Sequence, residues 1–303
     1  MRRIRLLREF GLKLAAADFL ASNVRIPGLT ARLKDRVMLS YLKENYGYVI
    51  ARHKNAKKPE VLGEVPAPVW SMWWQGEGNL PEVISLCFRN IRRYCGEHPF
   101  RIITRTNFEE YVSLPGYIID KFRAGIISLT HLSDIIRAYL LTNYGGMWLD
   151  ATVLTTRNIP EEIFAHEYFT VRRAYDSGEY NVSAKRWTIC VQGAKRGCRL
   201  SDFVLDMWLE YWRDKNFLAD YVMTDYFTAL AYEMLPECRA MLEAVALSNP
   251  AFDDLQPVLD DEFDPEMWDR LTNGTQFFKL TYKHEYMKKV CGRNTFYGHV
   301  LRL

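Results

Sequence analysis

The sequence predicts an α/β fold with a mostly parallel central sheet, preceded by a helical basic N-terminal segment. Strand-like and helix-like segments alternate from residue 65 onward, an order typical of parallel sheets. Hydrophobic residues make up 49% of the 303 residues, enough to bury the core of one large domain. Residues 1–58 carry 14 Lys/Arg against 4 Asp/Glu, whereas the remainder is acidic. We therefore expect a basic segment over residues 1–64 and one domain over residues 65–303.

Composition and cysteine spacing narrow the class of protein. The six cysteines are scattered without a CxxC pair, which argues against zinc ribbons and secreted disulfide scaffolds. No run of about 18 apolar residues is present, and the N-terminus lacks the pattern of a signal peptide. These features predict a cytoplasmic protein without a transmembrane helix.

The basic segment opens with MRRIRLLREFGLKLAAADFL, in which basic side chains alternate with large apolar ones. One interpretation is an amphipathic helix on an anionic membrane surface, where each basic side chain contributes roughly 1 kcal/mol. This predicts a peripheral location on the inner face of the plasma membrane. An equally compatible interpretation is a solvated helix packed on the domain. We expect no nucleic-acid partner, because the charge is accompanied by no nucleic-acid-binding motif.

The predicted elements follow in chain order. After a polar link at residues 53–68, VWSMWW predicts a buried strand and QGEGN a turn. Pro81 suits a helix start, and the apolar stripe that follows continues to Tyr94. FRIITR, residues 100–105, predicts a second strand. Later strands are predicted at YFTVRRA, WTICVQGAK and TQFFKLTYK, and long helices at RLSDFVLDMWLEYWRD and LADYVMTDYFTALAYEML.

Two further places along the chain are candidate binding sites. Ligands of parallel sheets gather at the carboxyl ends of the strands, so Trp73, Trp74 and Gln75 lie at a candidate binding edge. An exposed indole there would stack on a base, although most tryptophans simply fill the core. FDDLQPVLDDEFDPEMW predicts an acidic surface loop, where Asp260 and Asp261 are alternative cation contacts.

The stretch SDIIRAYLLTNYGGMWLDATV predicts a helix that ends at a double glycine before a strand. Ser133 suits the N-cap, Asp134 suits the first turn, and Gly145 or Gly146 suits a left-handed end. Asp134 and Arg137 are three residues apart and share a helix face. By themselves they are equally compatible with a local ion pair and with a functional site.

The strand predicted after the double glycine contains an aspartate, Asp150. Because the strand period is two, Trp148, Asp150 and Thr152 are predicted to face one way. The opposite face is apolar, with Met147, Leu149, Ala151 and Val153. Carboxylates are uncommon in such surroundings unless they are paired or hydrogen-bonded, so Asp150 is a functional candidate.

The combined pattern LSDIIRAYLLTNYGGMWLDATV resembles the signature of DxD-type sugar-binding glycosyltransferases, in the form found in the capsular polysaccharide synthesis protein family. The wider relatives are the Och1-like transferases and the clostridial glucosylating toxins. The stretches VWSMWWQGEGNLPEVISLCFRNIRRY, DLQPVLDDEFDPEMW and FFKLTYK support the resemblance, which covers about residues 65–285.

The resemblance implies a GT-A type fold, a single Rossmann-like nucleotide-sugar domain. It implies that Asp134 and Arg137 hold hydroxyls of the donor sugar and that Asp150 lies by the ribose and a divalent metal. Trp73 or Trp74 would stack on the uracil of a UDP-sugar. Asp225, in MTDYF, fits an acidic position of the family and is a candidate contact with the acceptor or sugar, but a structural aspartate is as compatible.

One residue departs from the family pattern. The second DxD aspartate, usually a direct ligand of Mn²⁺ or Mg²⁺, is Thr152 here, and a hydroxyl is a weaker ligand for a hard cation. The expected metal ligands are therefore Asp150 and Thr152, with metal dependence open. Cations of KLTYKH, namely Lys279, Lys283 or His284, are alternative stabilisers of the leaving diphosphate.

Three functions fit these features. The favoured one is a retaining transferase that moves a hexose from a UDP-sugar to a lipid-linked precursor of a surface polysaccharide. The second is a non-catalytic, transferase-like subunit of a polysaccharide assembly complex. The third is an effector that glycosylates a protein.

Overall fold

The structure is a computed structural model that describes residues 2–24, 26, 28–56, 66–175 and 181–303. The predicted boundary between residues 64 and 65 lies outside the described residues. The helices are α1 (Arg2–Asn23), α2 (Leu29–Asn45), α3 (Gly47–Asn55), α4 (Glu82–Tyr94), α5 (Phe108–Tyr111), α6 (Gly116–Arg123), α7 (Leu129–Asn143), α8 (Glu161–Ala165), α9 (Arg199–Asp214), α10 (Met223–Met234), α11 (Pro236–Ala244), α12 (Pro265–Thr272) and α13 (Phe296–Val300). The strands are β1 (Val69–Met72), β2 (Phe100–Ile103), β3 (Gly146–Leu149), β4 (Val153–Thr155), β5 (Tyr168–Thr170), β6 (Val191–Ala194), β7 (Phe277–Lys279), β8 (Lys289–Val290) and β9 (Arg293–Asn294).

The central sheet has five strands in the order β2-β1-β3-β6-β5. Strand β1 pairs in parallel with both β2 and β3. Strand β6 is antiparallel to both β3 and β5. Four of the five strands therefore point the same way, which confirms the prediction of an α/β fold with a mostly parallel sheet and agrees with a GT-A type domain.

Apolar side chains cover both faces of this sheet. Trp148 joins the cluster that contains α7 and α9, whereas Met147 and Leu149 join the cluster that contains α4. The alternation predicted for this strand is therefore confirmed. A second, two-stranded sheet pairs β4 with β7 and places Val153 beside Lys279.

The helix that leads into β3 begins earlier than predicted. Its N-cap is Ser128, whose hydroxyl accepts a hydrogen bond from the His131 backbone, so the predicted cap at Ser133 is wrong. Ser133 lies inside the helix and donates to the Thr130 carbonyl. The predicted left-handed glycines are confirmed, and a Cβ at Gly146 would lie 2.0 Å from the Pro68 carbonyl oxygen.

The basic N-terminal segment packs on the domain as a folded pair of helical stretches. Gly11 takes non-helical backbone angles and divides α1. Arg2 donates to Asp18 at 2.5 Å, and the Arg3 guanidinium lies 4.6 Å from the centre of the Phe19 ring. In a straight helix, residues sixteen positions apart would be separated by about 24 Å. These contacts therefore mean that the two halves of α1 lie side by side in opposite directions.

The inner face of this pair belongs to the main core. Leu6, Phe10 and Leu14 are buried in the same cluster as α9. Among the described residues, no helix is long and apolar enough to cross a bilayer. The acidic stretch predicted as a loop contains the helix α12, because Asp264 caps it and Pro265 begins it.

Candidate active site

A cavity of about 300 Å³, here called the site cavity, opens at the carboxyl ends of β1 and β3. It is the edge at which ligands of parallel sheets bind. Part of its polar and aromatic lining comes from three stretches of the chain that the sequence singled out. These lining residues are Trp73, Trp74, Gln75, Asp134, Arg137, Asp150 and Thr152.

Asp134 and Arg137 form a buried ion pair on α7. The Arg137 Nη2 atom lies 3.0 Å from Asp134 Oδ1, and both side chains are almost fully buried. Burial raises the pKa of Asp134 although Arg137 opposes the shift. Arg137 Nε and Nη1 are buried and have no hydrogen-bond partner among the described residues. Leaving a buried charged donor unpaired costs free energy, so these N–H groups mark a polar position that the packing of the protein does not satisfy.

Asp150 lies in the turn between β3 and β4 and accepts from two side chains. Trp148 Nε1 donates to Oδ1 at 2.8 Å, and Lys279 Nζ donates to Oδ2 at 2.9 Å. Arg137 Nη2 is 3.5 Å from Oδ1. Burial favours a raised pKa for Asp150, but Lys279 and Arg137 outweigh it, so the pKa is lowered. Asp150 therefore remains ionised and holds two cations beside the cavity.

Lys279 reaches this site because β7 pairs with β4. Burial disfavours its charged form, yet Asp150 outweighs burial and raises the pKa of Lys279. The ammonium group is consequently charged and held 2.9 Å from Asp150, which itself lines the cavity. Lys279 and Arg137 are thus two cations that share the Asp150 carboxylate next to the cavity.

The donor set does not fit a divalent metal in this arrangement. Hard cations prefer several oxygen ligands, mainly carboxylates. Both Asp150 oxygens already accept hydrogen bonds, and Thr152 adds only a neutral hydroxyl. Among the residues that the structure describes, no group of three or more His, Cys, Asp or Glu side chains is placed to hold a metal.

The aromatic wall of the cavity is formed by half-buried rings. Trp73 meets Tyr282 edge to face, with ring centres 5.2 Å apart. Trp74 packs against Phe108 and Phe122, so it is also part of the core. The Trp73 indole nitrogen has no partner among the described residues. Both tryptophans line the site cavity while packing against the core, so either ring is a candidate for stacking on a ligand.

The remaining predicted residues occupy different positions. Gln75 is exposed at the rim of the site cavity. Lys283 and His284 are exposed and do not line this cavity. Asp225 lines a neighbouring cavity, where it accepts a hydrogen bond from Trp187 at 2.9 Å. Burial, with Asp134 adding to it, raises the pKa of Asp225 to about 6.

Sequence reasoning missed the lining residues Tyr221 and Tyr282. Neither lies in a regular element of the chain, and Tyr282 follows the last strand of the small sheet. A signal for Tyr282 existed in the stretch KLTYKH, where only the cations were singled out. Its contact with Trp73 depends on packing between residues more than two hundred positions apart.

The chain was compared with curated proteins, with solved structures and with models of protein families. No curated protein matches the chain. The solved structure of the PaToxG glycosyltransferase aligns with 80% of this chain and 95% of its own, at 11% identity and a TM-score of 0.38. Residues 23–300 match the model of the family described as capsular polysaccharide synthesis protein. Since the match spans most of the sequence, the chain belongs to the capsular polysaccharide synthesis protein family.

Proposed function

We propose that the protein is a retaining glycosyltransferase that moves a hexose from a UDP-sugar to a lipid-linked precursor of a capsular polysaccharide. The observation that carries the proposal is Arg137, a buried cation with two nitrogens that lack partners beside the site cavity. The family match supports a role in capsule synthesis. The nucleotide, the lipid-linked acceptor and the stereochemistry are our proposals.

The donor would lie across the strand ends. The uracil stacks on Trp73, whose ring stands at the rim beside Tyr282. Asp150 faces the ribose, and Arg137 Nε and Nη1 donate to the sugar hydroxyls or the diphosphate. Asp134 orients Arg137 for these contacts, because Asp134 Oδ1 lies 3.0 Å from Arg137 Nη2.

The reaction needs positive charge at the leaving diphosphate. The bond between the anomeric carbon and the diphosphate oxygen breaks, and its electron pair stays on the β-phosphate. The acceptor hydroxyl oxygen bonds to the same carbon from the same face, and its proton passes to the departing phosphate. A fixed cation near that phosphate stabilises the growing charge. Lys279 supplies it, since Asp150 holds its ammonium group at the cavity.

The alternative proposal is a Mn²⁺ or Mg²⁺ ion at Asp150 and Thr152. It requires Lys279 to release the Asp150 carboxylate, because the ammonium group occupies one of the two oxygens. The two proposals differ in whether a chelator stops the reaction.

The first test is release of nucleoside diphosphate by the purified protein from UDP-, GDP- and ADP-sugars. We expect release from one UDP-sugar, with added manganese, with magnesium and with chelator alike, since Lys279 provides the charge. A chelator that abolishes release would establish the metal-dependent alternative. Absence of UDP binding and of release from every donor would favour the non-catalytic subunit. Release stimulated by a protein acceptor, but not by a membrane lipid extract, would favour the effector.

An outer apolar face on the N-terminal helices supports a membrane-linked acceptor. On the second half of α1, Leu12, Phe19 and Leu20 are 73%, 45% and 36% exposed and lie on one side of the helix. Ile4 and Leu7 are exposed on the first half. Exposed basic residues flank this face, namely Arg3, Arg8 and Lys13. An apolar face rimmed by cations suits an anionic membrane surface.

Changing both Leu12 and Phe19 to Asp should weaken binding to vesicles that contain phosphatidylglycerol. We expect at least about a tenfold loss, because two apolar side chains no longer enter the membrane interface. Flotation with anionic and with neutral vesicles measures the effect. The matched control is Leu247→Asp, at an exposed leucine away from α1, which should bind as the wild type does. Equal binding by all three proteins would contradict a membrane role for this face.

A further inference from the structure

A second cavity of about 470 Å³, here called the side cavity, lies next to the site cavity. Ile189 and Val222 line both cavities, so the two share a wall. The side cavity is formed by α2, by the start of α10 and by residues 181–189. Its size suits one or two sugar rings, within the usual range of small-ligand sites.

The lining of the side cavity is polar and balanced in charge. Three lining residues are cationic and three are acidic, namely Lys34, Arg173, Lys185, Asp35, Asp220 and Asp225. Several of them are mutually paired: Lys34 bridges Asp18 and Asp220, and Tyr226 donates to Asp35. A surface with paired charges and many hydrogen-bonding groups suits a neutral polyhydroxyl ligand better than a phosphate.

Asp225 connects the side cavity with the site cavity. Its carboxyl lines the side cavity, and it also lies within the electrostatic range of Asp134 and Arg137, which line the site cavity. Trp187 donates to one carboxyl oxygen, Oδ1. The carboxyl is therefore held in the side cavity, whose wall at Ile189 and Val222 is shared with the site cavity.

The N-terminal helices form one side of the side cavity. Ala21 of α1 and Ala31 of α2 form part of its lining. Phe19 and Leu20, which belong to the outer apolar face, are adjacent in sequence to Ala21. A glycan carried by a membrane lipid would enter the cavity from this direction.

We propose that the side cavity is the acceptor subsite and binds the terminal saccharide of the acceptor glycan, with Asp225 accepting a hydrogen bond from a hydroxyl of that saccharide other than the one that is glycosylated. The inference rests on the proposed transferase function, because the site cavity then holds the donor. It assigns the second substrate to a specific set of residues. The ligand class is a hexose or hexosamine glycoside.

The test uses methyl glycosides of glucose, galactose, mannose, rhamnose and N-acetylglucosamine as probes. Saturation-transfer NMR measures their binding to the protein saturated with UDP, and calorimetry measures UDP binding separately. We expect at least one glycoside to bind the wild type. Ala31→Trp, which adds a large side chain to the lining, and Asp225→Asn, which keeps the hydrogen bond from Trp187, should each weaken that binding at least tenfold. Their affinity for UDP should stay within about twofold of the wild type, since neither residue lines the site cavity.

The matched control is Ala16→Trp, at an exposed alanine on α1 outside the cavity, which should bind the glycoside as the wild type does. Failure of every glycoside to bind the UDP-saturated wild type would overturn the inference. Glycoside binding by Ala31→Trp and by Asp225→Asn that is as strong as binding by the wild type would overturn it too. Absence of UDP binding by the wild type is a different result, because it contradicts the proposed function itself.

Discussion

Replacing Lys279 by Met should lower the rate of UDP-sugar turnover by roughly 100- to 1000-fold, the range seen when one preorganised charge stabiliser is removed. Lys279 is the cation that donates to Asp150, a residue that lines the site cavity. Methionine fills similar space without charge, so the diphosphate would depart without its counter-charge. The measurement is kcat for nucleoside diphosphate release, with UDP affinity determined separately. We expect the larger effect in kcat, because charge develops mainly in the transition state.

Lys283→Met provides the matched control for this experiment. Lys283 is four residues further along the chain, exposed and outside the site cavity. Its removal changes the net charge of the protein equally but should leave kcat within about twofold of the wild type. Equal losses in the two variants would show that overall charge, not the fixed ammonium group, supports turnover. An unchanged rate in Lys279→Met would exclude the role that we assign to it.

Replacing Asp150 by Asn should remove most donor turnover, by about 100-fold or more, while the protein still folds. The amide can still accept from the Trp148 indole, but Lys279 and Arg137 lose their shared counter-charge. Two neighbouring cations would then repel each other and shift position. We expect the free energy of unfolding to fall by about 1–3 kcal/mol, because charged partners are left unpaired.

The control for this variant is Asp261→Asn in the acidic stretch, where the aspartate is exposed. Urea unfolding and donor turnover are measured on the same preparations. Loss of folded Asp150→Asn protein would mean that the carboxylate mainly supports the structure. Folded protein with normal turnover would mean that the site lies elsewhere. The combination of near-native stability and lost turnover is the expected result.

Local patterns in the sequence were sufficient for much of the fold. The strand at residues 146–149 was predicted from alternation, and its two faces enter two different apolar clusters as expected. The left-handed glycines were predicted from their position at a helix end. Helix starts were less well predicted, because Ser128 and Ser133 both suit a cap and only packing selects between them.

The site was predicted in part. Asp134, Arg137 and Asp150 share one helix-to-strand segment, so their proximity followed from the sequence. The choice of Lys279 over Lys283 did not, because it depends on the register between β4 and β7. The place of Asp225 in a separate cavity depends on how α10 packs against α2 and residues 181–189.

By itself, the sequence determined the class of fold, the double glycine and the choice of Asp150, because those features follow from periodicities of two and 3.6 residues and from backbone preferences. The structure places Asp150 in the turn after β3, not within the strand as predicted. Only the tertiary structure decided which cation meets Asp150, which aromatic ring packs against Trp73 and which nitrogens of Arg137 lack partners among the described residues. It also decided that α1 folds back at Gly11 and leaves an apolar face outward. These outcomes depend on contacts between residues far apart in the chain, and close packing in three dimensions, not local pattern, selects such contacts.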